Sequence, residues 1–374
     1  MNAAPINLTP AHLTPAHPTP AHPAPATQQA ASEPVLETGH SPPFAIGVDL
    51  GGTKAEAIVL DAAGIERWRQ RIASPSTEGY DAMLGAIAGL VAQARQAVGV
   101  GGVGGVGGMG GTGSMGSTGS TGSTGWASIG IGTPGTVTPA GRMKNANIQC
   151  LNGRALQADL QALLGQPVAL ANDANCLALS EATDGAGRGA PVVFAAILGT
   201  GTGAGIAVHG RVLTGPNGLA GEWGHNPMPW ASADEPRPPC FCGQTGCIET
   251  LVSGPGFAAD HQRRNGGVLT ALQIAHAAAA GDAACADTLA RWQQRLARAL
   301  AMVINLLDPD VIVLGGGLSR MAATYAEVPA LWHRWVVSGG LREPVRTRLL
   351  PALHGDASGV RGAAWIGRGA ALGG

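Results

Sequence analysis

The chain has 374 residues, enough for two lobes with separate cores, and 45% of them are hydrophobic. Only 13% are charged, the formal net charge is −1, and no Lys/Arg-rich run occurs, which argues against a nucleic-acid or anionic-lipid partner. The longest apolar stretch, Val192 to Val208, is broken by Gly199, Gly201, Gly203 and Gly205, so it reads as two buried strands joined by a turn and not as a membrane span.

Residues 1–43 are rich in Ala, Pro, Thr and His, with the unit Thr-Pro-Ala-His ending at His12, His17 and His22. Proline at this density opposes helix and sheet, so a disordered tail is expected, with weak metal binding by the spaced histidines as the other reading. The tail has no basic region followed by an apolar core, so no secretory signal is read and a cytoplasmic location is expected.

Order is expected from Phe44. Ala45–Val48, Ala55–Leu60 and Ile65–Ile72 read as an antiparallel meander, with the turn Asp49-Leu50-Gly51-Gly52-Thr53 between the first two strands. A helix follows, with Tyr80, Met83, Leu84, Ile87, Leu90, Val91 and Ala94 on one face. Residues 99–125 are almost wholly Gly, Ser, Thr, Val and Met and read as a flexible insertion within a lobe. Trp126–Ile131 and Val168–Ala171 are expected strands, and Leu156–Leu164 and Ala174–Glu181 expected helices.

The theme then repeats. Val192–Leu198, the turn Gly199-Thr200-Gly201-Thr202-Gly203, and Ala204–Val208 form a second strand–turn–strand. A loop-rich region leads to a long helix with Leu289, Trp292, Leu296, Leu300, Val303 and Leu307 on one face, then the strand Val311–Leu314 and a last helix near Gly362–Ala371. The expected organisation is an N-terminal lobe over 44–171 and a C-terminal lobe over 172–359, with residues 360–374 packing back on the first.

The two Gly/Thr turns carry the first chemical signal. The segment from Gly47 to Lys54 nearly matches a P-loop, but it ends Thr-Lys and lies between two strands, so the P-loop reading fails. Glycines at Gly51 and Gly52 let backbone N–H groups approach a phosphate, and Thr53 adds a hydroxyl. Asp49 would repel that phosphate unless Mg²⁺ lay between them. Thr200, Gly201 and Thr202 offer the same chemistry from the second turn, and Gly315 and Gly316 offer bare backbone to a nucleoside. Asp173 after Asn172 is either a helix cap or a general base for an attacking hydroxyl.

Cys240, Cys242 and Cys247, with His225 upstream, supply four N/S ligands, the set for a closed structural zinc site. Cys150, Cys176 and Cys285 are isolated and expected as small core residues. Zinc would pin the loop 222–249, on which Glu222, His225 and Glu249 are suited to sugar hydroxyls, with surface solvation the plainer reading for Glu222 and Glu249.

The segments GVDLGGTK, LANDANC, GTGTGAGI, GEWGH, CFCGQTGCIE and VIVLGGG resemble the ROK family of sugar kinases and sugar-responsive repressors, over Phe44 to Gly369 apart from the Gly-rich stretch. GEWGHNPMPW, GCIETLVSGPGFA, NLLDPDVIVLGGGLS and HGDASGVRGAAW look like its bacterial fructokinase and manno(fructo)kinase subgroup. The resemblance implies a two-lobed α/β sugar-kinase/actin-like (RNase H-like) fold with an active-site cleft, a homodimer or larger homo-oligomer, and ATP, Mg²⁺ and structural Zn²⁺ as cofactors. It implies Asp173 as the base, and Asn172, Glu222, His225 and Glu249 as sugar contacts. Asp49, Gly51, Gly52, Thr53 and Lys54 match the first phosphate motif, Thr200, Gly201 and Thr202 the second, and Gly315 and Gly316 the nucleoside side. His225 with Cys240, Cys242 and Cys247 matches the metal site.

The implied reaction is phosphorylation of a hexose 6-hydroxyl, with fructose as the expected substrate and glucose, mannose or N-acetylglucosamine as alternatives. A repressor of the same family would need an N-terminal helix-turn-helix, and the Pro-rich residues before Phe44 lack that pattern. Two departures stand out: Cys150 occupies a position where relatives often carry Trp, and the Gly-rich stretch is not a family feature.

Overall fold

The structure, a computed structural model, describes residues 42–100, 127–338 and 343–372. Residues 1–41 of the expected disordered tail and all but the first two residues of the Gly-rich insertion lie outside them.

Strands β1 (Phe44–Leu50), β2 (Lys54–Asp61) and β3 (Glu66–Ala73) form the expected antiparallel meander. Helix α1 (Tyr80–Ala97) buries Met83, Ile87, Leu90, Val91 and Ala94 against it. Strand β4 (Ala127–Thr133) runs parallel to β1. A small hairpin, β5 (Thr136–Val137) with β6 (Met143–Lys144), and helix α2 (Leu156–Leu164) lead to β7 (Val168–Asn172), parallel to β4. The first sheet has the order β3-β2-β1-β4-β7.

Helix α3 (Asp173–Thr183) carries the chain to a second sheet. There β8 (Val192–Leu198), β9 (Thr202–Val208) and β10 (Arg211–Val212) form another meander. After helices α4 (Glu249–Val252), α5 (Gly254–Asn265), α6 (Ala271–Ala279) and α7 (Ala283–Leu307), β11 (Val311–Gly315) lies parallel to β8. Helix α8 (Thr324–Leu331) precedes β12 (Arg348–Pro351), parallel to β11, and α9 (Ser358–Leu372) follows. The order β10-β9-β8-β11-β12 repeats that of the first sheet, giving the two-lobed α/β architecture of the sugar-kinase/actin-like class.

The loop-rich reading of the region before α7 is corrected by three helices, α4 to α6. Two carry start signals in the sequence. Ser253 accepts from Gly256 N–H with a proline in the first turn of α5, and Thr270 with Gln273 makes a capping box for α6. Helix α7 buries Trp292, Leu296, Leu300 and Val303, as its spacing predicts, and Trp292 stacks on Phe257 at 5.4 Å. It ends at Asp308, whose left-handed backbone (φ 47°) precedes Pro309.

Helices α9 and α3 fill the space between the sheets. Helix α9 packs on β1 and β4, and α3 packs on β8 and β9. Gly47 and Gly130 are partners in the β1–β4 register, and a Cβ on either would strike α9 backbone, at Val360 and Ala363. A Cβ on Gly362 of α9 would strike the Cys176 carbonyl of α3. Bare backbone at these positions lets sheet, helix and helix approach closely. At the far end of α3, Asp184 pairs with Arg361 of α9 and with His354 at 3.1 Å, and Arg361 also donates to the Gly64 carbonyl in the β2–β3 turn.

Candidate active site

Strands β1, β4 and β7 are parallel, so their carboxyl ends share one edge, where Asp49, Thr133 and Asn172 lie. Ligands of open α/β sheets gather at that edge. Asp49 is opposite Glu56 on β2 and Gly132 on β4. Burial pushes its carboxyl up to about 7, with Asp173 and Glu56 adding to the rise and Lys54 and Arg71 opposing it. A carboxyl held partly protonated by burial and by other carboxylates ionises readily when a cation arrives, so the surroundings of Asp49 fit a Mg²⁺-bridging role.

Asp173 opens α3. Its Oδ1 accepts from the Ala174 N–H at 2.8 Å, and Asn172 Oδ1 accepts from the same N–H at 2.9 Å. The Asn172 amide also donates to the Gly135 carbonyl at 3.0 Å, so both ends of that side chain are fixed by the fold. Burial raises the Asp173 pKa, and the Glu222 charge adds to the rise. Glu222 thus acts on Asp173, and Asp173 on Asp49, each in the raising direction.

In the first turn, Gly52 and Thr53 are exposed, and Gly51 N–H closes the turn onto the Lys54 carbonyl at 2.9 Å. The loop after β3 braces it: Ser76 Oγ donates to the Gly52 carbonyl at 2.6 Å and Ser74 N–H to the Thr53 carbonyl at 3.0 Å. Sequence reasoning missed both serines, because nothing in their local pattern points back across β2 and β3.

In the second turn, Thr200 and Gly201 are exposed, as a phosphate contact requires. Thr202 is a correction: it is the first residue of β9, only 3% exposed, and its hydroxyl has no hydrogen-bond partner among the described residues. Its useful group is the backbone N–H, which donates to Glu249 Oε2 at 2.8 Å. Gly315 is buried, and a Cβ there would come 2.9 Å from Leu177 Cδ2. Gly316 is exposed with φ +81° and serves the turn after β11.

His225, Cys240, Cys242 and Cys247 converge, with one ligand atom from each lying within 4.8 Å of the others. A tetrahedral zinc with sulfur ligands at ~2.3 Å requires ligand atoms ~3.8 Å apart. Cys242 Sγ to Cys247 Sγ is 3.7 Å and His225 Nδ1 to Cys240 Sγ is 3.5 Å, so the donor set fits the metal. Burial and the neighbouring sulfurs push the Cys247 thiol up to about 12, a cost that a bound cation removes. His225 Nε2 lies 4.0 Å from Glu222, so one imidazole lies between the sulfur cluster and the Glu222 carboxylate. Of the other cysteines, Cys176 and Cys285 are buried as expected, while Cys150 is only half-buried, its sulfur 3.8 Å from the Ser76 carbonyl.

The ROK family matches residues 45–122 and 119–369. The chain belongs to the ROK family. It is 37% identical over 327 residues to the N-acetyl-D-glucosamine kinase of Pectobacterium atrosepticum, covering 86% of this chain and 97% of that one. The corresponding kinase of Escherichia coli O9:H4 is also 37% identical, over 326 residues, covering 86% of this chain and 98% of that one. Among solved structures, the ROK hexokinase of Thermus thermophilus superposes with a TM-score of 0.72 at 27% identity, covering 88% of this chain and 100% of that one. The ROK glucokinase of Streptomyces griseus, in complex with glucose and AMPPNP, gives a TM-score of 0.65 at 26% identity, covering 87% of this chain and 99% of that one. No helix of the described residues in this ROK chain is long and apolar enough to cross a membrane.

Proposed function

We propose that this chain transfers the γ-phosphoryl group of ATP to the 6-hydroxyl of a hexose. The observation that carries the reading is the meeting, at one sheet edge, of a partly buried Asp173, a phosphate-type turn after β1 and the Asp49 carboxyl. Asp173 accepts the hydroxyl proton as the oxygen attacks the γ-phosphorus and the bond to ADP breaks. A general base of this kind contributes roughly 10²–10⁴ in rate. The turns at Gly51–Lys54 and Thr200–Gly201 orient the triphosphate through backbone N–H groups, since phosphoryl transfer asks mainly for positioning and charge neutralisation. Mg²⁺ held near Asp49 would neutralise phosphate charge, and zinc on His225 and the three cysteines would fix the sugar-side loop.

Fructose is the substrate we favour. The segments that look like the fructokinase subgroup carry Glu222, His225 and Glu249, the residues assigned to the sugar. Hydroxyl stereochemistry is decided by a few such side chains, whereas overall identity is spread along the whole chain. N-acetyl-D-glucosamine is the second reading, supported by the names of relatives at 37% identity. A homodimer or larger homo-oligomer is proposed with either.

The test is ADP release by the purified protein with ATP, Mg²⁺ and separate fructose, mannose, glucose, N-acetylglucosamine and N-acetylmannosamine. The highest kcat/KM on fructose supports the favoured reading. The highest on N-acetylglucosamine replaces the substrate and keeps the mechanism. No turnover with any sugar in zinc-replete protein overturns the kinase reading and favours a sugar sensor.

A further inference from the structure

Glu249 stands two residues after the zinc ligand Cys247, at the start of α4, and was expected to face the sugar. Its carboxylate is engaged with the second phosphate turn. Oε2 accepts from the Thr202 N–H at 2.8 Å, across 47 residues of sequence. A Cβ on Gly201 would come 2.8 Å from the same oxygen, so glycine at that position makes room for the carboxylate. The segment after Glu249 grips the other end of the turn, with Gly254 N–H donating to the Gly199 carbonyl at 2.8 Å. The Thr202 hydroxyl is buried without a partner among the described residues, so besides its β8–β9 pairing with Leu198 the carboxylate is the side-chain contact that holds this end of the turn.

The geometry points to Glu249 as a positioning residue for nucleotide: its carboxylate sets the shape of the Gly199–Thr202 turn and so the turn's affinity for the triphosphate, before any sugar is present. This rests on the kinase reading above and goes beyond it, because a sugar contact alone gives Glu249 no effect on nucleotide in the absence of sugar. Ile248, beside Glu249, is fully buried, so the carboxylate reaches the turn from a fixed backbone. With the sugar role proposed above, one side chain serves both substrates' sites, and sugar and nucleotide are expected to strengthen each other's binding.

The test is calorimetric titration of the full chain with AMPPNP and Mg²⁺, without sugar, on wild type, Glu249→Ala, Glu249→Asp and Glu249→Gln, with the melting temperature of each recorded. A hydrogen bond to a charged group supports an expected weakening of about tenfold in Glu249→Ala. Glu249→Asp keeps the charge but withdraws it from the Thr202 N–H, and is expected to weaken binding similarly. Glu249→Gln keeps an acceptor at Oε and is expected to bind AMPPNP within about twofold of wild type while its sugar KM still changes. Wild-type affinity in a folded Glu249→Ala or Glu249→Asp protein overturns the inference and leaves the kinase reading standing. Absence of AMPPNP binding by wild type overturns both.

Discussion

His225 Nδ1 lies 3.5 Å from the Cys240 sulfur, which leaves Nε2 on the side of the Glu222 carboxylate, 4.0 Å away. On the proposed zinc and sugar roles, metal loss would free this imidazole from its place on the sugar side. Cys242→Ser is expected to abolish stoichiometric zinc, lower the melting temperature by several degrees and raise the sugar KM at least tenfold. Elemental analysis, thermal melts and steady-state kinetics on the same preparation check this. Wild-type protein with no bound zinc would rule out the metal account.

Asp173 carries the general-base prediction. Asp173→Asn is expected to lower kcat by roughly 10²–10⁴ while sugar binding stays measurable by calorimetry. Near-wild-type turnover would remove Asp173 from the mechanism. The pH dependence adds a sign. Burial and the Glu222 charge hold the Asp173 pKa up, so kcat/KM is expected to fall on the acid side at a pH above the usual carboxylate range. Glu222→Gln removes the charge contribution, so that acid limb is expected to move to lower pH, whatever happens to sugar affinity. An unmoved limb would assign it to another group.

The packing of α9 gives a stability prediction. Gly130 faces α9 so closely that a Cβ would run into the Ala363 carbonyl and the Gly367 amide, both backbone groups that cannot step aside as a side chain can. Gly130→Ala is expected to cost about 3 kcal/mol or more in denaturant unfolding, above the usual range for a single added methyl. A cost below about 1 kcal/mol would mean that α9 slides freely on the sheet.

Much of this fold was legible because the same strand–turn–strand pattern occurs twice and each Gly/Thr turn is bounded by apolar runs. The buried faces of α1 and α7 followed from their spacing. What escaped were elements too short to show a period: α4 has four residues, and β12 has four, one of them a proline. Helix α5 opens Gly-Pro-Gly, which reads as a loop unless Ser253 is taken as its cap. In the site, residue types were legible but their directions were not. Thr202 read as a displayed hydroxyl and is a buried strand residue, because β9 begins two residues earlier than expected and takes Thr202 out of the turn. Glu249 meeting the Thr202 N–H depends on how α4 docks on β9, which no local pattern encodes.

Asp184 closes the contact between α3 and α9, with His354 and Arg361 as its partners. Burial alone would raise its pKa, but the hydrogen bonds from His354 and Arg361, with the Arg361 charge, outweigh burial and hold it below 3.8. A carboxylate with a depressed folded-state pKa contributes stability that is fully present above its unfolded value and is lost as the pH falls through the folded one. Asp184→Asn is therefore expected to cost about 2 kcal/mol near neutral pH, less than a fully buried pair because the carboxylate is 20% exposed. The difference between wild type and variant should then shrink as the pH is lowered from 5 to about 2, since both then carry an uncharged group at this position. Urea unfolding of the two proteins across that range measures it. A difference that stays constant with pH would show that the Asp184 hydrogen bonds, and not its charge, hold α3 to α9.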